Sequence, residues 1–280
     1  MHVNYWHVLW RDRLGRFGLL LICLILVMAL FAPRLAGHQP VAYTRAPFSP
    51  PSMKHWLGTN DVGQDIFTRL LYGARTSLVI GIGVGILSVL LSIMIGATAA
   101  LFGGLYDRIA MRVVDALLVI PPVILAILVA AYLRPNIMVL IALLSLIMWP
   151  GGARVVRAQT LSLKERMHVS AARTFGAGHR HVLIRHIIPE MGPILIAVLI
   201  QFIRRGIFME AGLSFLGVSD PAMISWGSMM HHALRFSYLD VWKWWLLPAG
   251  FALSLTVMGF VFMGYALETT LNPRLLSGND

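Results

Sequence analysis

Positions 76–102 form 27 consecutive residues without a single Asp, Glu, Lys or Arg. As a helix rising 1.5 Å per residue, this run covers about 40 Å, more than the ~30 Å of hydrocarbon in a bilayer. It offers no polar face to water, so the segment belongs inside a membrane. Five further stretches have the same character: 14–32, 109–133, 136–153, 191–216 and 244–267. Lipid cannot satisfy backbone N–H and C=O groups, so membrane spans are helices or closed barrels. Barrel strands alternate apolar and polar residues, whereas these runs are solidly apolar. The expected fold is therefore all-α, a polytopic membrane protein with six transmembrane helices.

Composition agrees. Only 12% of the residues are charged and 58% are hydrophobic, against about 25% charged in soluble domains. A soluble globular enzyme and a disordered chain are both excluded. The lone Cys23 excludes a disulfide scaffold. The net charge of +11 would point to nucleic acid in a soluble protein. In a membrane protein it reflects Lys and Arg gathered on cytoplasmic loops, so no nucleic-acid partner is expected.

The first span has a basic start and Ala32 and Ala36 near its end, as a cleaved signal peptide would. Pro33 and Arg34 crowd that region, which reads as a retained anchor. With the N-terminus inside, cytoplasmic segments hold thirteen Lys and Arg and outer segments eight, and 154–185 alone holds seven. Both termini are then expected in the cytoplasm. The organisation expected is an anchor helix plus outer segment (1–75), a membrane bundle (76–268) and a cytoplasmic tail (269–280). The outer segment begins rich in proline (Pro33, Pro40, Pro47, Pro50, Pro51) and ends in an amphipathic piece, 64–75.

The cytoplasmic loop at 154–190 reads as a short helical hairpin. Residues 158–175 form one helix, Gly176 and Gly178 break it, and a second helix over 179–188 stops at Pro189. It has too little apolar surface to stand alone. Two readings are open: it docks on a partner protein, or it lies on anionic membrane lipid.

Its residues carry a resemblance. Ser170-Ala171-Ala172, then Gly176, then His186-Ile187-Ile188-Pro189 resembles the EAA signature of permease subunits in binding-protein-dependent ABC importers. Two more stretches are similar to the dipeptide, oligopeptide and nickel branch. One is His55-Trp56-Leu57-Gly58-Thr59-Asn60 with Gly63-Gln64-Asp65-Ile66-Phe67-Thr68-Arg69-Leu70-Leu71 and Gly73-Ala74-Arg75-Thr76-Ser77-Leu78. The other is Glu210-Ala211-Gly212-Leu213-Ser214-Phe215-Leu216-Gly217 with Ser225-Trp226-Gly227. Asn272-Pro273-Arg274-Leu275 resembles the family's C-terminal motif. Ser170 stands where the signature has glutamate, and Gln64 where the branch has arginine.

The resemblance implies a type I permease domain over 76–268, in the inner membrane. It implies a second homologous permease subunit, two ATP-binding subunits and an extracytoplasmic substrate-binding protein. Ser170, Ala171, Ala172, Gly176 and Pro189 would couple to the ATPases. No Gly-x-x-x-x-Gly-Lys-[Ser/Thr] loop is present, so ATP hydrolysis falls to partners and this chain is expected to be non-catalytic, without cofactor. The implied cargo is di- or oligopeptides; the alternative is nickel or a metal chelate. A membrane-embedded enzyme would need a nucleophile with its base or a carboxylate pair, and the spans hold only Asp115 and Glu210.

Four intramembrane charges remain: Arg204, Arg205, Glu210 and Asp115. Such charges face a cavity or a partner. Glu210 is six residues from Arg204 and five from Arg205, so it shares a helix face well with neither, and Asp115 offers another counter-charge. Both an interhelical ion pair and a lining of the translocation path are open readings. Gly81, Gly83 and Gly85 sit in an uncharged span and read as close helix packing. His231-His232 lack the spacing of a metal site. Trp242, Trp244 and Trp245 with Lys243 read as an interfacial belt.

Overall fold

The computed structural model describes residues 12–44 and 46–271. Arg11 and the Asn272-Pro273-Arg274-Leu275 motif lie outside the described residues. Every regular element among the described residues is helical, with one isolated antiparallel bridge, Thr59 to Asp65. Helix α1 (Arg13–Leu30) is followed by a single turn, α2 (Ala32–Leu35). Helix α3 (Ile66–Ser92) continues through a π-helical turn (Ile93–Ala97) into α4 (Thr98–Phe102). Helices α5 (Gly104–Val119) and α6 (Pro122–Leu133) meet at 79°. Then come α7 (Ile137–Lys164), α8 (Met167–Thr174), α9 (His179–Val182), a second π turn (Leu183–Ile187) and α10 (Ile188–Phe215). Helix α11 (Trp226–Leu234) and a 3₁₀ turn (Asp240–Lys243) precede α12 (Leu246–Leu271). Among the described residues, five helical stretches are long and apolar enough to span a membrane, and the bent α5–α6 pair, taken as one span, makes a sixth. Pro121 and Pro122, which the sequence reads as a kink in the third span, break it instead.

Three boundaries differ from the sequence expectation. The amphipathic piece at 64–75 is the first turns of α3: Asp65 caps the helix by accepting from the Thr68 N–H at 2.7 Å, and no proline follows before Ser92. The fourth span does not end near 153 but runs to Lys164, because Val156, Thr160 and Leu163 still face the core. The helix expected over 158–175 is thereby split at Glu165 and Arg166. Nor does Pro189 stop its helix. It sits at the N-terminal end of α10 directly after the π turn, where its missing N–H costs no α-type hydrogen bond.

Glycine decides how the helices pack. A Cβ on Gly81 would lie 2.3 Å from Ile207 Cγ1, and one on Gly85 2.5 Å from Ile203 Cγ1, so α3 presses directly on α10. Gly83 meets Ile141 of α7 in the same way. At Gly18, α1 lies against the Gly259 carbonyl of α12, 2.7 Å from the would-be Cβ. Between membrane helices such close approach supplies the dispersion contact that lipid-facing surface cannot. α5 is held to α7 by two ion pairs. Arg157 grips Asp107 with two 2.6 Å bonds, and Arg154 pairs with Asp115. Asp115 is therefore not the counter-charge of Arg204.

The three tryptophans of the expected belt differ in burial. Trp245 is buried in the core beside Phe236 and Ala249, while Trp242 and Trp244 stay half-buried.

Candidate coupling hairpin and far-end polar cluster

The hairpin lies at one end of the bundle. Val169, Val182 and Ile187 are buried against Ala97, Leu101, Val156, Leu163 and Met191. So the hairpin is not without apolar support: one face is fastened to the helices it interrupts. The Lys164 ammonium reaches the Ala100 carbonyl (3.4 Å). Glu190 at the start of α10 accepts from Arg166 (3.0 Å) and pairs with His168 (2.8 Å), closing the hairpin's base.

The tip is a left-handed helix stop. Gly176 has φ +87°, its N–H donates to the Arg173 carbonyl (2.9 Å), and the Ala177 N–H donates to Ala172 (3.0 Å). These two bonds satisfy carbonyls that the end of α8 leaves open, and the geometry suits glycine. Ser170, Ala171 and Gly176 are exposed and Ala172 is half-buried. Pro189 is exposed too but lies on the return arm, beside Glu190 and away from the tip. Phe175 is 90% exposed and Met167 89%. Those two apolar side chains sit in the exposed face and were not singled out from sequence; two large apolar residues within a basic loop were the available signal.

At the far end, the buried carboxylate of Glu210 accepts from Ser77 on α3 (3.0 Å) and from Ser214 one turn on (2.7 Å). Ser219 donates to Ser214 in turn (3.0 Å). Helix α11 is locked to this corner. Ser225 and Ser228 form a reciprocal cap, Trp226 donates to the Leu70 carbonyl (3.1 Å), and a Cβ on Gly227 would lie 2.4 Å from the Ala211 carbonyl. The second sequence motif is thus one packing unit of α3, α10 and α11. A cavity of about 250 Å³ adjoins it, lined by Arg134, Ser219, Asp220, His231, His232 and Arg235 among others. His231 and His232 each direct Nδ1 to a backbone carbonyl, Phe215 and Ser228, both at 2.7 Å.

The four intramembrane charges do not come together. Asp115 is taken by Arg154 and Glu210 by serines. Arg204 is half-buried and Arg205 exposed, and among the described residues neither has a carboxylate within ion-pair distance.

The first motif builds a compact turn before α3. Gly58 (φ +71°) and Gly63 (φ +80°) bracket buried Thr59 and Asn60. The Asn60 side chain accepts from the Gln64 N–H (2.6 Å) and donates to Gln64 Oε1 (2.9 Å). Arg69 donates to the same Oε1 (2.6 Å). A neutral Gln64 fits there because Arg69 already supplies the cation.

Residues 66–277 match the family described as "Binding-protein-dependent transport system inner membrane component". Residues 4–51 match "N-terminal TM domain of oligopeptide transport permease C". The oligopeptide transport system permease protein OppC of Bacillus subtilis is 36% identical over 281 residues, covering 95% of this chain and 90% of that protein. A Brucella suis protein that carries a peptide permease name is 38% identical over 267 residues, covering 94% and 88%. A Brucella abortus protein named for a peptide transport system permease is 38% identical over 270 residues, covering 95% and 90%.

Proposed function

The chain belongs to the inner-membrane components of binding-protein-dependent transport systems, and from that membership we propose that it forms half of an importer's translocation path for di- or oligopeptides. It is a multi-pass inner-membrane protein. Its partners are a second homologous permease subunit, two ATP-binding subunits beneath the hairpin, and a binding protein at the far end. Both termini then face the cytoplasm.

The observation that carries the coupling reading is the hairpin's two-sidedness. One face is fixed to the bundle by Val169, Val182 and Ile187; the other presents Phe175 and Met167 to a partner. An apolar anchor in a polar surface is what a protein groove takes up. Ser170, Ala171, Ala172 and Gly176 supply the short side chains and the turn that let a groove close around it; Pro189 sits on the return arm.

Force applied there has a rigid route. From His179 to Phe215 the chain is one helical stretch of 37 residues, roughly 55 Å at 1.5 Å per residue. It begins at the hairpin and ends at the Glu210–Ser77 contact and the α11 corner. Closure of the ATPases would tilt this rod and move the far end with it. The peptide cargo is supported by the names of the relatives and by two arginines that have no carboxylate within ion-pair distance among the described residues. A bare divalent cation would meet repulsion of about 4 kcal/mol per unit charge pair at 4 Å and an effective dielectric near 20.

The test is Phe175→Asp in the reconstituted four-subunit importer with its binding protein. Peptide uptake should fall at least tenfold while the permease pair still co-purifies. Full peptide-stimulated ATPase activity and uptake by that variant would overturn the coupling role.

A further inference from the structure

The far end of the bundle holds a second constellation that the transport reading does not use. His38, His55 and Asp65 come from three separate places: the linker after α2, the loop before the glycine turn, and the cap of α3. Their ligand atoms all lie within 4.8 Å of one another. His55 Nδ1 is 2.8 Å from Asp65 Oδ2, and the His38 and His55 rings stack with centroids 4.9 Å apart. We infer that these three residues form a binding site for a late first-row divalent metal ion, of the zinc, nickel or copper class.

The donor chemistry selects that class. Imidazole nitrogens suit zinc, nickel and copper, whereas calcium and magnesium ask for an all-oxygen shell. Two imidazoles and one carboxylate make a three-ligand set that leaves a coordination position open. A cavity of about 210 Å³ adjoins the cluster, lined by Gly37, His38, Lys54 and Asp65 among others, and gives room for water in that position. Lys54 is exposed, so its ammonium can stay in water while the ion sits deeper.

Asp65 is 4% exposed, and its two oxygens divide their work. Oδ1 holds the Thr68 N–H at the start of α3, which leaves Oδ2 for His55 and the ion. Arg69, one turn on, does not neutralise it; that guanidinium is held by Gln64 Oε1 and the Pro40 carbonyl. A structural hydrogen bond would need only His55 and Asp65. His38 is exposed, and its ring stacked on His55 adds a third donor to that pair. A bound ion would tie the linker after α2 to the head of α3, the segment that faces the binding protein in the proposed arrangement. The site is a resident one, separate from the cargo.

The experiment uses the purified permease complex, stripped with chelator and titrated with Co²⁺ and then Zn²⁺. The expected result is visible d–d absorption from low-coordinate Co²⁺, displaced by Zn²⁺, at one ion per copy of this chain. His38→Phe keeps an aromatic ring to stack on His55 and removes the ligand. It should weaken Zn²⁺ binding at least tenfold without changing complex assembly, and His55→Ala should abolish the Co²⁺ spectrum. Should His55→Ala fail to assemble, the His38→Phe comparison still decides. Absence of stoichiometric binding in the parent complex, or equal binding by parent and His38→Phe, overturns the site. Peptide uptake can be intact or lost in either case, so this result and the transport reading stand or fall separately.

Discussion

The Ser77 hydroxyl donates to the Glu210 carboxylate across 3.0 Å, joining α3 to α10 between positions 133 residues apart. The contact is fully buried and sits where α10 turns toward α11. Glu210→Ala would strip Ser77 and Ser214 of their shared acceptor. Interhelical hydrogen bonds inside membranes are worth about 0.6 kcal/mol on average and up to about 1.7, and this carboxylate accepts from Ser77 across the helices and from Ser214 on its own helix. A loss of about 1–2 kcal/mol is expected, read as a lower unfolding midpoint of the assembled complex. Glu210→Gln keeps one carbonyl acceptor and should lie between. An Ala variant as stable as the parent would show that the cluster carries no stability.

Gly176 tests the hairpin tip. Its φ of +87° lies where a side chain costs roughly 1–2 kcal/mol and a β-branched one more. Nothing lies within 4 Å of a Cβ built there, so the penalty is backbone strain and not a clash. Gly176→Val should loosen the Ala177–Ala172 bond and uncouple ATP hydrolysis from uptake in proteoliposomes. Gly176→Asn, which tolerates this conformation better, should keep most of the uptake. Equal uptake by the parent and both variants would remove the turn from the coupling mechanism.

Helix packing gives a sharper contrast. Gly81→Ala places a methyl 2.3 Å from Ile207 and 3.2 Å from the Ile203 carbonyl, whereas Gly212→Ala on α10 meets nothing within 4 Å. The first should cost about 1–3 kcal/mol as overpacking, seen as lower thermal stability and lower yield of complex. The second should be neutral. Gly81→Ala combined with Ile207→Val should recover part of the loss, because the two positions share one contact.

Much of this architecture was legible in the chain. The uncharged run at 76–102 dictated a membrane helix, and the glycines at 81, 83 and 85 announced close packing; Pro121-Pro122 read as a kink where the structure has a break. The errors have physical causes. Pro189 reads as a helix stop only if the preceding turn is α-helical; a π turn removes the hydrogen bond that proline would break. The C-terminal part of α7 carries Arg154, Arg157 and Lys164, so hydropathy ends the span near 153 although the backbone continues to Lys164. Asp115 was open to pairing with Arg204 because sequence spacing says nothing about which helices adjoin; the structure gives it to Arg154. Glu210 shares a helix face well with neither arginine, and its neighbours are serines on α3 and α10, one of them 133 positions away. The His38–His55–Asp65 cluster was invisible for the same reason: its members are 17 and 10 residues apart in an irregular segment with no periodicity to read.

Arg204 and Arg205 lie about 24 Å along α10 from its start at Ile188, taking 1.5 Å per residue. With Asp115 and Glu210 both engaged elsewhere, the interhelical ion pair loses both candidates the sequence offered. A cation held at membrane depth without a counter-charge among the described residues faces a water-filled path or the second permease subunit. Toward the path, an arginine fork can take a peptide carboxylate through two hydrogen bonds, which lysine cannot reproduce. Arg204→Gln and Arg205→Gln should each leave the complex assembled, and at least one should lower peptide uptake tenfold or more. For that position the lysine variant should recover only part of the rate. Uptake of labelled peptide and co-purification of the partner permease, measured on the same preparations, separate the two roles. Failure to assemble would assign the arginines to the subunit interface, and normal uptake by both Gln variants would remove them from the path.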